Sequence, residues 1–335
     1  MEVIIGCMED KMGAIYKQYD IRIRDTYRIW GCTVLNTDKG EFVIKPYEGN
    51  ETRALIDNAI KTHLFNNGYK YVDIIEANKV GELISYNQYK NPYIIKRMYS
   101  GQECDLRNEN QVMLGVGELA VLHRILQSLV LPDELNDKIR KRNINEDLES
   151  RLKCIKRVRR YIIDKRQKND FEIEFLKLFG KYINQGEEAV GLMREVNNLE
   201  ENEYICHGSF DQHSILFLPD SGEITITNFD KVVRGNQILD LYHYLRKTME
   251  KNDWNESLGI KMIGKYVDKS GVKEEELKIL KILLQFPEKF WKIANQYYNK
   301  RKVWVSEKNY QKINSLNEQE EKRTRFIKAI KEYHI

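Results

Sequence analysis

Near residue 100 the spacing of apolar residues changes from alternation to a helical period, which restricts the chain to a sheet at its start and helices after it. Before the switch, Ile21–Thr26, Tyr27–Asn36 and Glu41–Pro46 read as strands rich in β-branched and aromatic residues. Asn36-Thr37-Asp38-Lys39-Gly40 is the turn of a hairpin. In Glu41-Phe42-Val43-Ile44-Lys45 a period of two sets Phe42 and Ile44 on one face, Val43 and Lys45 on the other. A helix follows, with Leu55, Ile60 and Leu64 on one stripe and Asn66-Asn67-Gly68 as its stop. Short apolar segments at Tyr71–Ile75, Leu83–Tyr86 and Tyr93–Met98 complete a small antiparallel sheet with one helix against it.

After Ser100-Gly101, Val112, Val116, Leu119, Ala120 and His123 fall at helical spacing. Leu148, Leu152, Ile155, Val158 and Ile162 form a second stripe, and Phe171, Phe175, Leu178, Phe179 and Tyr182 a third. With 335 residues, 41% of them apolar, and only five prolines, the chain can bury two cores. The expected fold is α+β and two-lobed, a sheet lobe over 1–99 and a larger, mostly helical lobe over 100–335. A cleft between such lobes is the expected ligand site.

The 55 Lys and Arg nearly balance the 51 Asp and Glu, and a net charge of +4 gives no reason to expect a dedicated nucleic-acid binder. No apolar run approaches the ~20 residues that cross a bilayer, and Met1–Glu9 lacks the basic flank and apolar stretch of a secretory signal, so a soluble protein on the cytoplasmic side is expected. Cys7, Cys32, Cys104, Cys154 and Cys206 are odd in number and far apart, which reads as reduced thiols rather than a zinc site or a disulfide framework.

One strand-like stretch interrupts the helical half, from Tyr204 to Asp230. Pro219-Asp220-Ser221-Gly222 closes a hairpin in which Leu218 pairs with Glu223, and that register sets Ser214 opposite Thr227, next to Asn228. The loop His207–His213 enters at the same open end. Ser209, Asp211, Ser214, Asn228 and Asp230 are thereby expected around one small region.

His207-Gly208-Ser209, Ser214 and Asn228-Phe229-Asp230 resemble, position for position, the catalytic segment of the aminoglycoside phosphotransferase and choline kinase branch of the protein-kinase-like fold. Within it the chain resembles the CotS-type bacterial spore coat proteins. Gly68-Tyr69-Lys70-Tyr71-Val72, the run Tyr99–Glu109, Asp240–Lys247, and Phe286–Trp291 followed by Gln296-Tyr297-Tyr298 carry that resemblance, which spans nearly the whole chain. It implies a kinase-like fold, synthesis in the mother-cell cytoplasm, a place in the spore coat and other coat proteins as partners.

The resemblance sets the catalytic base at Ser209 and the magnesium ligands at Ser214 and Asn228. A serine lacks the proton affinity of a carboxylate, a role worth ~10²–10⁴ in rate. Asn228 offers a neutral oxygen where a hard cation takes an anionic one, and Ser214 is shorter than the asparagine it replaces. The reading is a catalytically degenerate pseudokinase that requires no cofactor and holds no metal. Lys45 stands where kinase-like folds place a lysine on nucleotide phosphates, but the following helix, with Arg53, Ala54, Asp57 and His63, brings it no glutamate. Asp230, with Asp211, is a candidate for an off-register metal site, against the plainer reading of solvated carboxylates. His207 is read as architectural, and Asp240 as the carboxylate that braces the catalytic loop or as a plain first-turn acid. An active phosphotransferase using ATP and magnesium at a non-standard site, and a nucleotide-binding regulator, remain open alternatives.

Residues 137–170 carry thirteen Lys and Arg against six Asp and Glu, a net of +7 that leaves −3 on the rest of the chain. This basic helix offers a surface to an acidic partner, an anionic polymer or nucleic acid, or is simply a solvated face. Phe290, Ile293, Ala294, Tyr297 and Arg301, with Trp291 and Tyr298 adjoining, superficially suit single-strand binding among their lysines, yet their spacing assigns them mostly to core.

Overall fold

The computed structural model describes residues 12–29, 32–196, 203–219, 222–299 and 307–334. Cys7, the Asp220-Ser221 turn and Lys300, Arg301 and Lys302 therefore lie outside the described residues. The chain divides into two compact units, the first over Met1–Cys104, Ile125–Arg140 and His213–Val232, the second over Asp105–Arg124, Lys141–Gln212 and Val233–Ile335.

In the first unit a short helix α1 (residues 12–16) precedes strands β1 (Ile23–Ile29), β2 (Cys32–Thr37) and β3 (Gly40–Pro46), helix α2 (Glu51–Asn66), and strands β4 (Ser85–Tyr86) and β5 (Pro92–Arg97). The five strands form one antiparallel sheet in the order β1-β2-β3-β5-β4. Phe42 and Ile44 join Leu35 and Ile95 in a core with Ile15 and Tyr19, whereas Ile94 sits on the opposite face with Ala54, Ile75 and Ile84. Val43 and Lys45 lie opposite Lys96 and Ile94 across the ladder, so these four share the second face.

Three expected boundaries need correction. The boundary expected between Thr26 and Tyr27 falls later: the first strand runs on to Ile29, because on this exposed edge strand the backbone ladder continues without an apolar face, and the strand expected over Tyr27–Asn36 begins only at Cys32. Of Tyr71–Ile75 only Ile75 bridges to Lys96, and Leu83–Tyr86 contributes only Ser85–Tyr86. Leu55 points outward at 42% exposure, and Ile56 takes its place beside Ile60 and Leu64. The helix stop is as expected: Asn67 is the C-cap and Gly68 adopts φ +90°, a conformation that suits a residue without Cβ.

Later segments complete both units. Strand β6 (Gln102–Glu103) pairs with β8 (Ile215–Phe217), which pairs with β9 (Ile224–Ile226), in the first unit; α4 (Asp133–Asn136) also belongs there. Helix α3 spans Glu109–Gln127. The second unit holds α5 (Ile144–Ile163), α6 (Asp170–Arg194), β7 (Tyr204–Cys206) paired with β10 (Val233–Gly235), and α7 (Ile238–Lys251). It continues with α8 (Glu256–Ser270), α9 (Glu274–Gln285), α10 (Glu288–Asn299) and α11 (Glu307–Lys331). Asn143 caps α5 and a reciprocal Asn169–Glu172 box caps α6. The stripe Leu148, Leu152, Ile155, Val158 and Ile162 is buried as α5 packs on α6 and α10, each side chain contributing about 1.5–3 kcal/mol. Phe290, Ile293, Ala294 and Tyr297 are core. Among the described residues no helix is long and apolar enough to cross a membrane, and Cys32, Cys104, Cys154 and Cys206 are not joined in disulfides.

Candidate functional site

In the first unit the β8–β9 hairpin has the register its turn dictates. Ile215, Leu216 and Phe217 face Ile226, Thr225 and Ile224, Leu218 N–H donates to Glu223 O at 2.9 Å, and Thr227 N–H donates to Ser214 O at 2.9 Å. Ser214 is therefore buried at the open end of the hairpin. Asn228 follows in the left-handed region, φ 66° and ψ 45°, which asparagine tolerates better than most residues with a Cβ. Its Nδ2 donates to His213 O at 3.0 Å, so the amide stitches the two ends of the hairpin together. Asp230 lies in a 3-10 turn, Phe229–Lys231, its carboxylate exposed and its backbone carbonyl accepting from Arg53 of α2. His213 is at the surface, where it pairs with Glu103 at 2.6 Å.

Lys45 emerges from β3 half-buried and forms no ion pair within 4.0 Å among the described residues. Burial and then the positive charge of Lys96 lower its pKa, while Asp230 and Asp73 pull the other way. The expected absence of a glutamate has a structural counterpart in a buried chain of charges on the same face of the sheet. Asp57 meets Lys61 at 2.8 Å, Lys61 meets Asp73 at 3.0 Å, and Asp73 pairs with Lys96. Burial alone would lower the Lys96 ammonium, but the charge and hydrogen bond of Asp73 outweigh it and hold the pKa above the ordinary lysine range. Asp73 is held low by Lys96 and Lys61 against its burial, whereas burial dominates at Asp57 and raises it. The carboxylate that α2 presents is thus spent within its own helix on Lys61.

The second unit holds the other motif residues. Asp240 is fully buried in α7 and accepts His207 N–H at 2.7 Å and Gly208 N–H at 2.9 Å. It therefore binds the loop backbone, which a solvated first-turn acid does not. His123 Nε2 stands 3.3 Å from the same carboxylate, and its Nδ1 lies 2.7 Å from the Tyr266 hydroxyl. Although burial favours the protonated acid, His123, His207 and the Gly208 amide together hold the Asp240 pKa below the usual carboxylate range. His207 is wholly buried and packs edge-on to Phe210, and Gly208 turns the chain at φ +81°. Gln237 spans this region, its amide donating to Ile205 O and His123 O. Ser209 is half-buried with no carboxylate of its own to offer, and the carboxylate of Asp211 is paired with Lys247 of α7.

Asp73, Lys96, Lys61, His123 and Gln237 were not singled out from the sequence as site residues. Lys61 carried a signal, being a charge on the helical stripe between Ile60 and Leu64, as did His123 at the end of an otherwise apolar stripe. Chemically, the two expected magnesium positions in the first unit, Ser214 and Asn228, offer a buried hydroxyl and an amide, neither of them an anionic oxygen. That donor set does not fit magnesium, which takes carboxylate and phosphate oxygens. Among the described residues no three His, Cys, Asp or Glu side chains are grouped to hold a metal ion.

Three solved structures share this fold. An aminoglycoside phosphotransferase from Alicyclobacillus acidocaldarius superposes with a TM-score of 0.81 at 17% identity, covering 94% of each chain. Spectinomycin phosphotransferase in complex with ADP and spectinomycin gives 0.66 at 13% identity over 97% of this chain and 98% of that one. An amicoumacin kinase in complex with AMP-PNP and Ca²⁺ gives 0.59 at 12% identity over 97% and 96%. At these identities the likeness establishes the fold, α+β with an antiparallel sheet and many helices. Among curated proteins none matches significantly. A family model described as "Spore coat putative kinase YutH" matches residues 12–330.

Proposed function

The chain belongs to this spore coat kinase family, and from that premise we propose that it is a catalytically degenerate member, made in the mother cell and acting in the coat through contacts with other proteins. The observation that carries the reading is Asn228. Where the resemblance calls for a metal-binding carboxylate stands a neutral amide whose nitrogen already holds His213 O. Ser209 and Ser214 add no charge, and Asp211, the nearest carboxylate in sequence, is neutralised by Lys247. Phosphoryl transfer rests on positioning and on neutralising phosphate charge through metal, so losing the base and both ligands removes the means of catalysis.

The test is phosphate release or transfer from ATP with magnesium or manganese. No turnover above the buffer blank is expected. Turnover abolished by Lys45→Ala or by Asp230→Ala overturns the reading.

One observation favours a second reading, a nucleotide-binding regulator. Lys45 has no ion-pair partner among the described residues and is partly withdrawn from water, a state in which an ammonium gains most from a phosphate. A thermal shift with ATP that needs no metal and vanishes in Lys45→Ala supports it; no shift with any nucleotide leaves the scaffold reading.

A further inference from the structure

We propose that the outward face of α5, built on Lys153, Arg157, Arg160 and Tyr161, docks an acidic helical segment of a partner protein. The basic stretch 137–170 is not uniformly available. Arg142 is spent on Asp147 at 2.8 Å, Arg151 on Glu288 at 2.7 Å, and Lys156 on Glu187 at 2.7 Å, while the Arg159 guanidinium lies over Phe179 at 4.9 Å. Arg157 and Arg160 are exposed and make no ion pair among the described residues. Lys153 reaches only Glu149, at 3.8 Å, and Glu149 is itself held by Arg194 at 2.6 Å.

Residues 153, 157 and 160 stand at i, i+4 and i+7, opposite the buried stripe of α5, and span about 10 Å of helix. Glu149 and Asp164 bracket this ladder, and between them three cations follow one another without an intervening acid. One turn from Arg157, Tyr161 packs edge-on to Tyr298 of α10 at 5.9 Å, and both rings stay exposed, by 44% and 37%. A cationic row beside an aromatic ledge fits a helix that carries carboxylates at the same spacing and an apolar side chain next to them. A nucleic acid fits less well. Its phosphates repeat past the three-cation row onto Glu149 and Asp164, whereas a short helix can confine its carboxylates to that row, and the chain outside residues 137–170 is net negative.

This inference rests on the reading that the protein works through protein contacts, and names the surface. Its test is fluorescence anisotropy on the full chain, with a labelled synthetic helix-forming peptide carrying Glu at i, i+4 and i+7 and one adjoining Phe. Saturable binding at low salt is expected, weakened about tenfold or more by Arg157→Glu with Arg160→Glu and about threefold by Tyr161→Ala. Lys278→Glu with Lys328→Glu changes the net charge equally at exposed positions elsewhere, and is expected to stay within about twofold of the unaltered protein. The milder pair Arg157→Gln with Arg160→Gln moves affinity in the same direction should the glutamates disturb folding. No saturable binding, equal weakening by the control pair, or tighter binding of a single-stranded oligonucleotide of equal charge overturns the proposal. Turnover of ATP would overturn the non-catalytic reading without altering any of these affinities, so the two failures are distinct.

Discussion

Lys61 and Asp73 meet at 3.0 Å inside the first unit with their side chains only 2% and 6% exposed. Removing one member of a buried pair leaves an uncompensated charge in a poorly solvated place. Asp73→Ala strands Lys96 and leaves Lys61 with Asp57 alone, and is expected to cost about 3–5 kcal/mol in urea unfolding. Lys61→Met costs less, because Asp73 keeps Lys96.

His243 gives the protein a pH dependence close to neutrality. Burial, and then the guanidinium groups of Arg142 and Arg246, push its pKa well below 6.5, and Arg142 stands 3.3 Å from its Nε2. For a base depressed by folding, the unfolded chain binds the extra proton first. Its stabilising effect is therefore present above the unfolded value of about 6.5 and is lost as pH falls below it, at up to about 1.4 kcal/mol per pH unit. Unfolding midpoints between pH 7 and pH 5 are expected to fall in the unaltered protein and to fall less in His243→Gln, which keeps an acceptor for Arg142.

The loop at His207 depends on Asp240 for two backbone hydrogen bonds. Asp240→Asn is nearly isosteric but turns an amide donor toward either a backbone N–H or His123, so a loss of about 2–3 kcal/mol is expected. The sign with pH is opposite to that of an unpaired acid. A carboxylate held low stabilises the fold above its unfolded value of about 3.9, and the benefit disappears as pH falls through the folded value. Acid unfolding followed by circular dichroism is expected to be shallower below pH 4 in Asp240→Asn.

Asn228 combines a left-handed backbone with a side-chain hydrogen bond. Asn228→Gly removes the bond but also the Cβ that a left-handed backbone disfavours, whereas Asn228→Ala removes the bond and keeps a Cβ there, so alanine is expected to cost about 1 kcal/mol more than glycine in thermal unfolding.

Much of this arrangement was readable along the chain, and the reason is locality. The β8–β9 register followed from four turn residues and a period of two, and the α5 stripe followed from helical spacing, because each needs only neighbours. The face of β3 shared by Val43 and Lys45 was legible in the same way. The charge partners were not. Lys96 finds Asp73 across 23 positions and His123 finds Asp240 across 117, and no local pattern shows which buried charge will meet which. Leu55 was misassigned because two neighbouring positions on a helix both suit an apolar stripe, and only packing decides between Leu55 and Ile56.

Lys96 has a consequence for how the sheet assembles. On β5 it alternates with Ile95, which belongs to the core of Phe42 and Ile44, while Lys96 belongs to the side where Asp73 waits. Sliding β5 by one residue against β3 would exchange the two, driving an ammonium into hydrocarbon and stranding the carboxylate. An all-apolar strand would tolerate that slip far more easily. The buried lysine thus acts as an alignment key for the sheet, penalising each off-by-one pairing during folding before any ligand or partner is involved.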